Sequence, residues 1–247
     1  MKIIAILISF YIFIKLCKLI IYILKKLISN FKKYNKQKYN KKINYNVLKY
    51  NNSNSFDKGK IGELYFINYL NSDNTYYKKI LNNVYINKNK EDTTELDIIL
   101  ICNYGIYLFE IKNYAGWLFG SRDQIYWTQK FSSGKTEKFY NPILQNQNHL
   151  KYLKTFLNIE KYNLYKSVVV FVGTGKIKSY IPNKDADYIL TKNDFEFVNK
   201  IIKENNIELL TNIEVDEIYN KLLPLSKIPI HEQLNHINKI RSFKFKN

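Results

Sequence analysis

No Asp or Glu occurs in the first 56 residues of this 247-residue chain, while twelve of its 39 basic residues fall there. The formal charge of +18 is therefore carried largely by one end: from Asp57 onward, 27 basic residues face 21 acidic ones. A basic total of this kind is weak support for nucleic-acid binding by the core. Arginine is almost missing, with Arg122 and Arg241 alone. Since Asn, Ile and Tyr are abundant beside Lys, most lysines read as a coding bias and not as a designed polybasic surface. Two cysteines, Cys17 in the first apolar run and Cys102 in a strand-like one, exclude a disulfide framework. No Cys/His spacing resembles a zinc site, and a reducing compartment is the simpler setting. A convincing small-residue cleavage site is also missing after the first apolar segment, which argues against a removed secretory signal.

That segment, residues 3–24, is apolar apart from Ser9, Lys15 and Lys18. As a helix it would reach roughly 33 Å, enough for a bilayer core. Lys15 and Lys18 would share a face and could snorkel toward headgroups. Lysines accumulate from Lys25 to Lys42 without an acid, so the positive-inside rule keeps this flank, and the domain after it, in the cytoplasm. We expect a membrane-anchor helix over residues 1–28 and a basic polar linker over 29–55, with anionic lipid headgroups as the linker's partner. A chain that is 46% hydrophobic has material for one sizeable core beyond it.

Asp57 can cap a helix through "KGKIGELYFINYLN", with Ile61, Leu64, Tyr65 and Asn68 on helical spacing. Gly59 and Gly62 in this helix predict a closely approaching backbone. After a loop with a short strand near Val84, "ELDIILICNYGIYLFEIKNY" at 95–114 reads as two apolar strands hinged at Asn103-Tyr104-Gly105. If the loop is Asn103-Tyr104, paired residue numbers sum to 207 and Asp97 faces Glu110, while Glu110 and Lys112 share a face. Two carboxylates and an ammonium in one patch serve either a divalent hard cation with its bound water or a structural ion-pair cluster. Beside such a water the lysine could help remove a proton or stabilise phosphorane charge.

Downstream, Asn141 and Pro142 open a helix with Leu144, Leu150 or Leu153, and Leu157 on its apolar side. Gln145 and His149 stack one turn apart on a more polar side, where His149 reads as a hydrogen-bonding residue. "SVVVFVG" at 167–173 is a buried strand. Gly173-Thr174-Gly175-Lys176 lacks the spacing of a phosphate loop and reads as a turn. Trp117, Phe119, Tyr126 and Trp127 belong to a second hairpin, read as packing residues ahead of base-stacking platforms. "DFEFVNKIIKENN" and "NIEVDEIYNKLL" read as amphipathic helices before a basic tail.

Asp97, Glu110 and Lys112, as D-x12-E-I-K, resemble the bipartite motif of the PD-(D/E)xK nuclease superfamily. "GKIGELYFINYL", "TTELDIILICNYGIYLFEIKNYAGWLFG", "YWTQ" and "FYNPILQNQNHLKYLKTFL" occur in order and resemble the NERD, or nuclease-related, domain. The resemblance covers residues 56–173, with 174–247 as a helical completion and basic tail. It implies an α/β fold with a restriction-endonuclease-like mixed central sheet flanked by helices, and hydrolysis of nucleic-acid phosphodiester bonds with Mg2+ or Mn2+. It further implies that Asp97, Glu110 and Glu63 hold the metal, that Lys112 serves the attacking water, and that Gln145 orients water, lysine or substrate. Two positions depart from the family pattern: Leu96 replaces the motif Pro, and Ile98 stands where many relatives carry His. A non-cutting nucleic-acid-binding scaffold and an anionic-lipid-binding surface protein are the competing readings.

Overall fold

A computed structural model describes residues 58–89, 92–179, 187–204 and 207–227, together with the exposed helical positions Ile14, Lys15, Lys18, Tyr22 and Lys26. The chain divides into a unit ending at Asn54 and one beginning at Ser55. Apart from those five positions, the expected anchor helix and linker lie outside the described residues, as does the basic tail. Among the described residues, no helix is long and apolar enough to cross a membrane.

The second unit is a mixed α/β fold, as the sequence predicts, and its arrangement is consistent with a nuclease-like fold. Helix α1 (Lys58–Ser72) precedes strands β1 (Lys78–Asn87), β2 (Thr93–Cys102) and β3 (Gly105–Lys112). Three short strands follow, β4 (Trp117–Phe119), β5 (Tyr126–Lys130) and β6 (Thr136–Tyr140), then helix α2 (Pro142–Leu157) and strand β7 (Tyr165–Phe171). Strands β8 (Lys176–Ser179) and β9 (Asp187–Thr191) lead to helices α3 (Glu196–Ile202) and α4 (Asn212–Leu222). The main sheet has the order β1-β2-β3-β7-β9, and a second sheet the order β6-β5-β4-β8. In the main sheet β1, β2 and β3 run antiparallel to their neighbours, whereas β7 and β9 add in parallel.

Apolar side chains cover both faces of the main sheet, so helices must pack on both. Leu153 and Leu157 of α2 and Val215, Ile218 and Leu222 of α4 join Ile99, Ile101, Ile106 and Leu108 on one face. On the other, Phe66 and Leu70 of α1 and Val198 and Ile202 of α3 join Ile98, Leu100, Phe109 and Val168. The β2–β3 hairpin has the predicted two-residue loop, with Cys102 opposite Gly105 and Ile98 opposite Phe109. Gly105 is required there, because its φ is +137° and a Cβ would lie 2.6 Å from the Leu164 carbonyl oxygen.

Several elements differ from expectation. The strand near Val84 is ten residues long, since all of it but Asn83 pairs with β2. The region after Gly173 is not only helical: β8 and β9 pair with β4 and β7, and partners so distant in sequence leave no local pattern. Helix α1 buries Gly62, Phe66 and Leu70, not the stripe through Ile61, Leu64, Tyr65 and Asn68. Gly62 sets that rotation, because a Cβ there would come within 2.6 Å of Val172 Cγ2; Gly59 has nothing within 4 Å. The close neighbour is thus a side chain, at Gly62 alone. Helix α2 likewise buries Ile143, Asn146 and His149 with Leu153 and Leu157, while Leu144 and Leu150 are only partly covered.

Phe66 anchors α1, with its ring edge-on to Phe109 at 4.9 Å and to Phe195 at 5.1 Å between centroids. Phe66→Ala should cost about 3–5 kcal/mol in urea denaturation, whereas Phe197→Ala, at a position 45% exposed, should change stability by less than about 0.5 kcal/mol. Equal effects would show that α1 is not held by this contact.

Candidate active site

The site forms where the β2–β3 ladder stops. The last ladder pair is Ile98 with Phe109, and the next positions in register are Asp97 and Glu110. There the Ile111 backbone N–H donates to Asp97 Oδ2 at 2.8 Å, so a side chain takes the hydrogen bond that a strand carbonyl would accept. The β1–β2 ladder skips the same level, where Asn83 adopts φ +52°. Both strands exchange faces across this point: Leu96 packs with Ile99 although Ile98 packs opposite, and Leu81 packs with Val84.

Glu110 and Lys112 follow Leu108 by alternation onto the α2 side of the sheet. Lys112 Nζ donates to Glu110 Oε1 at 2.6 Å and to Gln145 Oε1 at 3.0 Å. His149 Nδ1 lies 3.2 Å from Glu110 Oε2, close enough for an ion pair when the ring is protonated. The alignment is not that of a hydrogen bond, however, and the buried Oε2 receives no other donor. Gln145 is placed by its neighbours in α2. Asn141 caps the helix, accepting from Ile143 N–H, and its Nδ2 shares its hydrogens among the Ser121, Arg122 and Gln124 carbonyls. Buried Asn146 donates to the Leu108 carbonyl of β3 and to Ser167 Oγ of β7.

Electrostatics distinguishes the carboxylates. Burial would raise the Glu110 pKa, but Lys112 and then His149 outweigh it and hold the group below its ordinary value. Asp97 is raised well above its ordinary value, first by burial and then by the Glu110 charge, with Lys112 and the Ile111 N–H opposing. The directions are opposite because Glu110 bonds the Lys112 ammonium whereas Asp97 accepts from one backbone amide. Burial also tends to strip the proton from Lys112, yet Glu110 and Asp97 prevail and raise its pKa. Its ammonium is thus held charged beside the two carboxylates. Glu63 is pushed up to about 7, by burial first and then by Glu95, with Lys60 opposing.

The structure thus brings Asp97, Glu110, Lys112 and Gln145 into one contiguous patch, with Glu63 coupled to it from α1. Glu95 was not singled out in the sequence. Its pKa is raised, chiefly by burial, despite a hydrogen bond from Tyr85 and the nearby Lys60. Strict alternation from Asp97 would have flagged Glu95, although on the wrong face. His149 belongs to the site as well, because α2 turns it inward beside Glu110. Ile98, at the position where a His would depart from this chain, is fully buried core.

The nuclease-related domain (NERD) family model matches residues 58–172. An uncharacterised protein of Bacillus anthracis is 33% identical over 168 residues, 67% of this chain and 76% of that one. The chain belongs to the nuclease-related domain family. No solved structure matches it. Within this NERD core the donor set for a metal can be tested. Among the described residues no three His, Cys, Asp or Glu side chains form a ready-made metal cluster. What remains is a pair of repelling carboxylates, Asp97 and Glu110, with an unsatisfied Glu110 Oε2. Hard oxygen donors in this small number fit Mg2+ or Mn2+, ions that keep several waters, better than they fit zinc.

Glu63 yields a pH dependence in metal-free protein. Its proton is held up to about pH 7 in the folded chain, against an ordinary value of 4.5. Between these values the unfolded chain ionises first, so stability should fall as pH rises, by on the order of 3 kcal/mol. In EDTA, Glu63→Gln should flatten that slope and be more stable than wild type at pH 8 but not at pH 4. Parallel curves for the two proteins would place Glu63 in an ordinary solvated setting.

Proposed function

We propose that this NERD protein is a membrane-anchored, divalent-metal-dependent nuclease that hydrolyses nucleic-acid phosphodiester bonds. The observation that carries the reading is the convergence of Asp97, Glu110, Lys112 and Gln145 at the opening of one sheet. Their chemistry suits an anionic phosphodiester: a fixed ammonium, an oriented amide and acids of unequal proton affinity. Held by Asp97 and Glu110, with Glu63 directly or through water, Mg2+ or Mn2+ would lower the pKa of a water and offset phosphate charge.

The chain's own residues then divide the work. Lys112 Nζ, fixed between Glu110 Oε1 and Gln145 Oε1, donates toward the phosphoryl oxygen on which charge accumulates. Gln145 keeps its oxygen on the ammonium and its amide N–H groups free to orient water or substrate. Glu63, pushed up to about 7 in the metal-free chain, would give up its proton on joining the ion directly or through water. Residues 3–24 anchor the chain, and the lysine flank keeps the NERD core in the cytoplasm.

The two central carboxylates should respond differently. Asp97→Asn retains an acceptor for Ile111 N–H and relieves repulsion, so metal-free stability should hold level or rise while cleavage disappears. Glu110→Gln removes the partner of Lys112 and should cost on the order of 3 kcal/mol, again without cleavage. Melts of the full chain in detergent, with Mg2+ or EDTA, and cleavage of several nucleic-acid forms check both. A wild-type melt indifferent to Mg2+ and Mn2+, with no cleavage of any substrate, would leave a non-cutting binding module. The anchor is checked by fractionation: full-length chain recovered in the soluble fraction would overturn it.

A further inference from the structure

The second sheet has two unlike faces. Its inner face carries fully buried Trp127 and Leu118, packed with Val169 and Phe171 of β7. This closes the core without help from the outer face. Yet the outer face is where the remaining large aromatics lie: Trp117 is 38% exposed, Phe119 36%, Tyr126 55% and Tyr140 40%. Only Trp127 therefore fits the packing role expected for this hairpin.

Register places the cations among these rings. Trp117 pairs with Lys130 on one side and with Lys176 on the other. Thr128 pairs with Lys138, and Tyr126 with Tyr140, their rings 6.2 Å apart. No Asp or Glu occupies an outward position on β4, β5, β6 or β8. Glu137 alternates to the other side of its strand and pairs with Lys135 in the adjoining turn. The face is thus cationic and aromatic together.

We propose that the outer face of the second sheet binds single-stranded nucleic acid, with bases stacked on Trp117, Phe119 and the tyrosine pair and phosphates held by Lys130, Lys138 and Lys176. Charge complementarity selects a polyanion, and the exposed rings select one whose bases are unpaired, since a duplex hides its π-faces. The Tyr126 and Tyr140 rings lie 6.2 Å apart, and residues two apart on one strand, as Trp117 and Phe119 are, lie about 7 Å apart, spacings that successive unstacked bases can span. The inference rests on the nuclease reading and narrows its substrate to single strands. Chain order supports this. The sheet leaves the strand of Lys112 and returns into the helix of Gln145, so both of its ends are tethered to the candidate site.

The test is fluorescence anisotropy of the full chain in detergent with a labelled oligothymidylate, in EDTA so that nothing is cut. The double substitution Trp117→Ala with Phe119→Ala should weaken binding by tenfold or more at a temperature where its melt shows it folded, while Trp117→Phe stays within about threefold of wild type. Lys130→Gln with Lys138→Gln should reduce the slope of log affinity against log salt by about 1.4. A blunt duplex should bind at least tenfold more weakly than the single strand. The proposal is overturned if the double-alanine protein binds oligothymidylate like wild type, or if the duplex binds equally well. It is also overturned if this face instead proves to hold phosphatidylserine vesicles or a second copy of the chain, with no oligonucleotide bound. Platform-dependent binding without cleavage under any metal would sink the nuclease reading alone, and cleavage with platform-independent binding would sink this proposal alone.

Discussion

A single hydrogen bond, from the Ile111 backbone N–H to Asp97 Oδ2, governs how the site is built. A backbone donor inside a sheet must find an acceptor, and ordinarily the neighbouring strand supplies it. Here a side chain takes that place, so the β2–β3 ladder ends at Ile98 and Phe109. Two consequences follow from the gap. Asp97 lies between the strands, within electrostatic reach of Glu110 and Lys112 on one face and of Glu63 from the other. Beyond it, β2 turns Leu96 toward the α2 side, and Glu95 is coupled to Glu63 and Lys60 of α1.

The gap also separates two electrostatic regimes. On the α2 side charge is compensated, because the Lys112 ammonium bonds Glu110. On the α1 side acids outnumber cations, and Glu63, Glu95 and Asp97 are all driven toward their protonated forms. Burial and mutual repulsion raise the proton affinity of these acids, so in the metal-free chain protonation removes part of the charge. The buried asparagines have the opposite character. Asn141 and Asn146 donate through Nδ2 to backbone and hydroxyl acceptors, while the buried Asn146 Oδ1 has no partner among the described residues, and they fix the helix that carries Gln145 and His149.

How far the sequence disclosed this arrangement depended on range. The hairpin register was legible because a two-residue turn at Asn103-Tyr104 leaves few pairings, and period-two alternation then places Glu110 and Lys112 together. Asn141 and Pro142 likewise announced the start of α2. The rotation of that helix was hidden, since its buried stripe includes polar Asn146 and His149, whose partners are on β3 and β7. Phe66 escaped for a related reason: a glycine at position 62, not a run of large apolar residues, decides which side of α1 faces the sheet. Strands β8 and β9 pair in parallel with residues far away in sequence, so their short segments carried no signal of their own. Trp117 and Trp127 looked alike in the sequence, and only the pleat of the second sheet separates the exposed ring from the buried one.

Every left-handed non-glycine residue among those described is an asparagine: Asn83, Asn158 and Asn163. Asn158 ends α2 in this conformation, where glycine is the usual choice. Asparagine tolerates the left-handed region because its short polar side chain can bond locally, yet it retains a Cβ and roams less than glycine when the chain is unfolded. Placing asparagine at these corners leaves less conformational freedom to be lost on folding. The compositional bias that fills the chain with asparagine and leaves it only eight glycines therefore also acts on stability, through the denatured ensemble and without any contact in the folded protein.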